Sequence, residues 1–139
     1  MIKEAENKAE ELKIKNANFR SGTIFDKDLS NVSYDVIVSY GVLHLLKNNE
    51  KVMKRIKVLL KHGGYFISTT ACLKEKMTVK SKIVFSLYMF VKKIGLFPLR
   101  LNMYECSDVL NIVSNDFEIM ESENLFHGIH MCFIVAKKK

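Results

Sequence analysis

The segment from residue 34 to residue 70 constrains the fold most, because one amphipathic helix separates two strand-like runs. The first run, YDVIVSY, is rich in β-branched residues, and the second, YFISTT, follows a Gly-Gly pair. Between them, NNEKVMKRIKVLLK places Val52, Ile56, Leu59 and Leu60 on one face and lysines on the other. A strand, a helix and a strand with short connections predict a parallel pair of strands with helices over its faces.

Helix-capping residues and glycines predict where these elements begin and end. We expect the first strand over residues 35–40, the helix over 48–61 and the second strand over 65–70. Asn48 or Asn49 is available to cap the helix. The residues His62, Gly63 and Gly64 are expected to end it, because glycine tolerates a left-handed backbone after a helix.

The rest of the chain predicts elements in a less regular order. We expect a surface helix over residues 2–12, a short strand over 17–21, a lysine-rich apolar helix over 76–95, a helix over 107–115 capped by Ser107, and strands over 117–121 and 131–136. Pro98 lies in the loop over 96–105. The stretch SENLFHGIH between the last two strands has hairpin length, so we expect this pair to be antiparallel.

Length and composition indicate one globular domain with an excess of basic residues. The 139 residues are 48% hydrophobic and 27% charged, and the formal net charge is +7. Lysines are spread along the chain and gather only at residues 137–139, so we prefer a solvated tail over a specific nucleic-acid partner. No run approaches the roughly 18 apolar residues of a membrane span.

The cysteines and the N-terminal residues indicate a cytoplasmic protein. Cys72, Cys106 and Cys132 are odd in number and far apart in sequence, so their spacing predicts neither a disulfide framework nor a metal site. The first residues, MIKEAENKAEELK, are charged throughout, unlike a secretory signal. His127 and His130 also lack metal-binding spacing, and we interpret them as loop and strand-edge residues.

Several segments, in their order along the chain, resemble class I S-adenosylmethionine-dependent methyltransferases. NANFRSGTIFD resembles that family's third strand and adenine-side loop, YDVIVSYGVLHLL its fourth strand, and LLKHGGYFIS its Gly-Gly turn and fifth strand. The resemblance implies a Rossmann-like α/β three-layer sandwich, with a mostly parallel sheet and an antiparallel last strand. It also implies S-adenosylmethionine as cofactor, bound across the carboxyl ends of the strands, and methyl transfer to a small-molecule acceptor.

The same resemblance implies which residues face the cofactor. The adenine side comprises Gly22, Thr23, Ile24 and Phe25, and the methionine side comprises Ser39, Tyr40, Gly41 and His44. Thr23 stands where the family often has an aspartate, so the adenine contact is expected to move to Asp26 or to backbone groups. The alternative is that these residues form a turn without contacting a nucleoside.

His44 is a candidate general base, but we prefer a packing or helix-start role for it. No catalytic residue is predicted, because methyl displacement needs alignment more than a base.

The resemblance also implies a partial domain over residues 1–139. The family's glycine-rich loop and the acidic residue that ends its second strand would precede the first helix, so the first two strands are expected to be missing. Loss of a central strand opens a sheet edge and uncovers apolar faces. Two functions therefore remain open. The chain could take part in methyl transfer that requires the N-terminal part, or it could be a non-catalytic module that associates through the open edge, for example as a homo-oligomer.

A lid-like helical insertion is expected at about residues 73–105. It offers the side chains of Phe85, Tyr88, Met89, Phe90 and Phe97 to an acceptor pocket, which would suit an apolar acceptor. Two alternatives remain open. The flanking lysines Lys80, Lys82, Lys92 and Lys93 also fit a helix on an anionic membrane surface, and the helix could simply pack on the sheet.

Overall fold

A computed structural model describes residues 2–29, 34–95 and 101–139. Its helices are α1 (Ile2–Glu11), α2 (Asn49–Leu59), α3 (Val79–Lys93) and α4 (Cys106–Ser114), and its strands are β1 (Tyr34–Tyr40), β2 (Leu60–Cys72), β3 (Phe117–Phe126) and β4 (His130–Lys138). A 3-10 turn at Leu43–Leu45 follows β1. Pro98 and Phe97 lie outside the described residues.

The four strands form one mixed sheet in the order β1-β2-β4-β3. β1 and β2 are parallel, with Val38 opposite Ile67 and Tyr40 opposite Thr69. β4 is antiparallel to both of its neighbours, so β1, β2 and β3 run in one direction and the last strand runs in the other. The predicted α/β fold class and the antiparallel last strand are confirmed.

Helix α2 lies where its periodicity predicts, but the glycine pair does not end it. The side chain of Asn48 caps the helix by accepting a hydrogen bond from the Lys51 amide at 3.0 Å. The helix ends at Leu59, and β2 begins at the next residue. Tyr34 pairs with Leu60 while Val36 pairs with Tyr65, so residues 61–64 form a bulge. Gly63, with φ of +72°, supplies the left-handed backbone inside this bulge.

The core lies between α2, α4 and one face of the sheet. Phe66 of β2 and Phe117 of β3 are fully buried, with ring centroids 5.6 Å apart. Met53 and Val113 cover this face from α2 and α4. The predicted apolar face of α2 is confirmed for Val52, Ile56 and Leu59, which are all buried, whereas Leu60 is buried as the first residue of β2.

The opposite face of β1 is exposed. Val36, Val38 and Tyr40, which alternate along the strand, are 46%, 62% and 79% exposed. Within the described ranges no strand pairs with the outer edge of β1. The predicted strand over residues 17–21 is therefore wrong, since this segment has no regular structure. An isolated extended segment gains no ladder hydrogen bonds, so its sequence pattern alone does not make it a strand.

Two predictions near the C-terminus also need correction. Helix α4 begins at Cys106 and not after a Ser107 cap, because Glu105 is the capping residue and its amide donates to the Asp108 carboxylate at 2.9 Å. Both final strands are longer than predicted and leave only residues 127–129 as the turn. Most of the predicted SENLFHGIH loop is thus paired strand, because Ser122 to Phe126 continue the ladder with β4.

Candidate functional site

The carboxyl end of β1 carries three of the predicted cofactor residues. Ser39 is half-buried and lies opposite Ser68 of β2, whereas Tyr40 is largely exposed. Gly41 follows with φ of +64°, and its amide donates to the Thr69 carbonyl at 2.9 Å. A β-carbon at Gly41 would meet no atom within 4 Å, so open space lies beside this backbone. Glycine is required here by its left-handed conformation.

His44 belongs to the 3-10 turn that follows Gly41. Its carbonyl accepts a hydrogen bond from the Asn102 amide at 2.7 Å, which fixes the turn against the chain beyond α3. Burial lowers the pKa of the His44 imidazole, because desolvation disfavours the charged form. Its Nδ1 atom is buried and has no hydrogen-bond partner among the described residues. The neutral ring therefore faces an apolar environment.

A cavity of about 530 Å³ lies at the carboxyl ends of the parallel strands. His44 and Leu45 border it from the turn after β1, and Ala71 and Leu73 border it from the end of β2. The α3 side chains that complete its wall include Lys80, Ser81, Val84, Phe85 and Tyr88. The amide of Thr78, which caps α3, donates to the Gly128 carbonyl at 3.1 Å and ties α3 to the β3–β4 turn.

The predicted lid residues divide between two hollows. Phe85 and Tyr88 border the large cavity, and their rings stack with centroids 6.5 Å apart. Met89 and Phe90 border a different, open hollow together with Lys92 and Lys93. Only part of the predicted set therefore lines the cavity at the strand ends.

The predicted adenine-side residues form a tight turn. The hydroxyl of Thr23 donates to the Asp26 carboxylate at 2.9 Å, and the Thr23 amide donates to the same carboxylate at 3.1 Å. These bonds lower the pKa of Asp26. A β-carbon at Gly22 would meet this carboxylate, so a larger residue at this position would require the Asp26 side chain to shift. Thr23 and Asp26 thus bind each other, and the Asp26 carboxylate keeps acceptor capacity for a further donor.

Ile24 and Phe25 differ in their environments. Ile24 packs against the core and borders a hollow of about 270 Å³ with Tyr34, Ile37 and Leu59, whereas Phe25 is exposed. The Ile24 carbonyl accepts a hydrogen bond from the Arg55 side chain at 3.2 Å. This hollow lies by the first half of β1, whereas Ser39, Tyr40 and Gly41 lie at the strand's other end.

Sequence reasoning missed two groups of polar side chains. Ser68, Thr69 and Thr70 of β2 have buried hydroxyl oxygens with no partner in the described part of the chain. The second group is a cluster in which Cys72, Glu75 and Cys106 bring potential ligand atoms within 4.8 Å of one another. The run of three consecutive hydroxyl residues at the end of YFISTT was the available signal for the first group. The second had none, because its members come from separate elements.

The thiols of this cluster shift one another's pKa values. The Cys132 thiol lowers the pKa of Cys72 to about 7 by donating to it, and burial raises the pKa of Cys106 to about 11. The hydrogen bond to Cys72 likewise raises the pKa of Cys132. The three cysteines that are far apart in sequence are therefore neighbours in the fold.

Comparison with known structures supports the fold. PH0226 protein from Pyrococcus horikoshii OT3 is 18% identical with a TM-score of 0.72, and the match covers 99% of this chain and 66% of that one. Geranyl diphosphate C-methyltransferase from Streptomyces coelicolor A3(2), in complex with Mg²⁺, geranyl diphosphate and S-adenosyl-L-homocysteine, is 10% identical with a TM-score of 0.70 and coverages of 99% and 61%. The [4+2]-cyclase SpnF is 13% identical with a TM-score of 0.73 and coverages of 99% and 62%.

The chain thus spans less than two thirds of the length of these three structures. No curated protein matches it. A family model described as "Methyltransferase domain" matches residues 1–124, which is most of the chain. The fold, the order of the strands and this match agree with the resemblance seen in the sequence, and the chain belongs to the methyltransferase domain family.

Proposed function

We propose that this chain forms the acceptor side of an S-adenosylmethionine-dependent methyltransferase. The observation that carries the proposal is the cavity of about 530 Å³ at the carboxyl ends of β1 and β2, which is bordered by the turn that follows Gly41 and by α3. Open α/β sheets bind their ligands at this position. Family membership supplies the reaction class, and the cavity supplies a place for a small acceptor.

In this proposal Ser39, Tyr40 and Gly41 face the methionine portion of the cofactor. The open space beside Gly41 fits a ligand that approaches the backbone closely. When bound, S-adenosylmethionine supplies a methyl group activated by a sulfonium sulfur. Gly22, Thr23, Ile24 and Phe25 would face the adenine, with the contact made by backbone groups or by the remaining acceptor capacity of the Asp26 carboxylate.

The cavity walls select and align the acceptor. The lid proposed for residues 73–105 includes α3, and its Val84 and Phe85 make the cavity apolar together with Leu45 and Leu73. Such walls exclude water and favour an apolar acceptor surface. A neutral His44 lines the same space without an assigned proton-transfer role. Lys80, at the cavity wall, adds one cationic group for an anionic end of the acceptor.

Full activity is proposed to require a glycine-rich segment beyond these 139 residues. The sequence has no glycine before Gly22, and the chain spans 61–66% of the three compared structures. Phosphate or nucleoside groups are commonly held by glycine-rich loops at helix starts. The adenine and ribose are therefore expected to have fewer contacts in this chain alone than the methionine portion has.

Titration calorimetry with S-adenosylhomocysteine tests the proposal. We expect weak binding to the 139-residue chain, with a dissociation constant below about 1 mM, equivalent to about −4.1 kcal/mol. A chain extended by a glycine-rich segment from a related methyltransferase should bind more tightly. Absence of heat with both the 139-residue chain and the extended chain would contradict the proposed function.

A second candidate function is association through the open side of β1. The outer edge of β1 is unpaired in the described ranges, and Val38 and Tyr40 present a largely exposed apolar face. An exposed apolar strand at a sheet edge is a template for another chain. A second copy of this protein is the proposed occupant, because two identical edges can pair around a two-fold axis.

Contact with a membrane surface is supported by α3 alone. Its residues Val79, Ile83, Leu87 and Phe90 follow helical spacing and are all exposed, and Lys82, Lys92 and Lys93 flank them. None of the helices in the described residues is both long and apolar enough to cross a bilayer. Co-sedimentation with vesicles containing phosphatidylserine tests this contact, and a Leu87→Glu variant is expected to lose it.

A further inference from the structure

The fold gathers three thiols and one carboxylate at the end of β2, separate from the residues that line the cavity described above. Cys72 ends β2, Glu75 lies in the turn that follows, Cys106 begins α4 and Cys132 lies on β4. The ligand atoms of Cys72, Glu75 and Cys106 all lie within 4.8 Å of one another. Cys132 adjoins the group, since its thiol donates a hydrogen bond to the Cys106 carbonyl at 3.8 Å.

We propose that Cys72, Glu75, Cys106 and Cys132 form a binding site for a thiophilic divalent cation of the zinc class. Three sulfurs and one carboxylate oxygen are the four ligands that a closed tetrahedral zinc site requires. Bonds of about 2.3 Å from zinc to sulfur place tetrahedral sulfurs about 3.8 Å apart. The ligand atoms of Cys72, Glu75 and Cys106 need to close by at most about 1 Å to reach that spacing.

The carboxylate is held in place by a second layer of donors. The Cys106 amide donates to Glu75 Oε1 at 2.9 Å, and the Asn124 side chain donates to Oε2 at 3.2 Å. The His130 ring lies 3.3 Å from Oε2 and 2.8 Å from the Asn124 side-chain oxygen. Outer donors of this kind orient a metal ligand and tune its basicity.

The chemistry of the cluster favours a cation over a redox-active thiol pair. Cys72 and Cys132 are fully buried, so an oxidant in solution reaches neither directly. A divalent cation would offset the negative charges of the Glu75 carboxylate and of the thiolates together. Cys106 also occupies the first position of α4, where the helix dipole favours a negative ligand.

An open hollow gives the cation access from solvent. Glu75 and His130 border a hollow of about 550 Å³. Lys74 and Lys76 lie on the same rim, and the Lys74 ammonium group is 3.4 Å from the Asp108 carboxylate, which partly offsets its charge. Binding of one cation would release one proton to solvent for each thiol that becomes a ligand.

Titration of the reduced, full 139-residue chain with Co²⁺, followed by Zn²⁺, tests the site. We expect 1:1 binding, a sulfur-to-cobalt charge-transfer band in the near ultraviolet, tetrahedral d–d bands and displacement of Co²⁺ by Zn²⁺. The variants Cys72→Ser and Cys106→Ser should lose the complex, and Cys132→Ser should lower the charge-transfer intensity by about a third, as three thiolate ligands become two.

Glu75→Gln serves as the decisive variant, because its side chain is not part of the buried core and the fold should tolerate it. We expect Co²⁺ affinity to fall at least about 10-fold and the rise in Tm with Zn²⁺ to disappear. Glu123→Gln, an exposed carboxylate on β3, is the control and should bind as the wild type does.

Three results would each overturn the site: no charge-transfer band in the wild type, an unchanged band in Glu75→Gln and Cys106→Ser, or a disulfide among these cysteines in protein purified without reductant. None of these measurements depends on methyl transfer. The proposed function and the cation site can therefore fail separately.

Discussion

His44 and Asn102 are joined by a main-chain hydrogen bond of 2.7 Å between the Asn102 amide and the His44 carbonyl. The Asn102 side chain adds a second bond by donating to the Leu46 carbonyl at 2.6 Å. Asn49 supports the same turn from α2, since its side chain donates to the Leu43 carbonyl at 3.1 Å and to the Tyr104 hydroxyl at 2.8 Å. The turn after β1 is thus fixed by the chain segment that follows α3.

Replacing Asn102 by alanine should loosen this turn. The substitution removes the donor to the half-buried Leu46 carbonyl, so we expect the free energy of unfolding to fall by about 1–3 kcal/mol. Urea denaturation followed by circular dichroism measures the change. Asn111→Ala, at an exposed position of α4, is the control and should change stability by no more than about 0.5 kcal/mol. Equal losses in the two variants would show that the Asn102 side chain does not fix the turn.

Burial of His44 should make the protein less stable in acid. Because the folded-state pKa lies below the unfolded value near 6.5, the unfolded state binds the proton first as pH falls. The contribution of His44 to the free energy of unfolding is therefore fully present above about pH 6.5. It decreases as the pH falls from there toward the pKa of His44 in the folded state.

Urea denaturation between pH 5 and 8 measures the slope of the free energy of unfolding against pH. His44→Asn should reduce this slope. The control is His62→Asn, at an exposed position of β2, and it should retain the part of the slope that His44 contributes. A slope of equal size in the wild type and in His44→Asn would rule out this origin.

Gly41 and Gly95 form a matched pair for testing the cofactor contact. Both have positive φ, of 64° and 80°, and a β-carbon at either would meet no atom within 4 Å. Alanine at either position should therefore cost a similar amount of stability, about 1 kcal/mol from backbone strain. If Gly41 faces the cofactor, Gly41→Ala should weaken S-adenosylhomocysteine binding at least about 10-fold in calorimetry, whereas Gly95→Ala should not. Equal binding by both variants would remove Gly41 from the proposed site.

The parts of the fold that were predictable from sequence depend on local periodicity. The β1–α2–β2 unit is such a case, because the apolar face of α2 and the β-branched run of β1 each determine their own structure. The bulge at Gly63 was not predictable, since it depends on how β1 and β2 align. The strand expected over residues 17–21 depends on a neighbour that the described residues do not contain.

The candidate sites also differ in whether their residues are close in sequence or come from separate elements. Ser39, Tyr40, Gly41 and His44 are close in sequence, so their common position at the carboxyl end of β1 follows directly from the strand. The thiol cluster joins β2, β4 and the first residue of α4, and its assembly requires the antiparallel register in which Cys132 lies opposite Thr70. Sequence spacing among three distant cysteines contains no such information.

Val38 tests whether the open side of β1 binds a second copy of the chain. It is 62% exposed at the centre of an edge strand, where a lysine would place a charge in any interface that covers this face. We expect the wild type to sediment as a dimer at micromolar concentration, and Val38→Lys to weaken this dimer at least about 10-fold, since burying an unpaired charge is costly. Val58→Lys, at a 44% exposed position of α2, should dimerise as the wild type does. A wild type that remains a stable, cooperatively unfolding monomer in sedimentation equilibrium would exclude association through this edge.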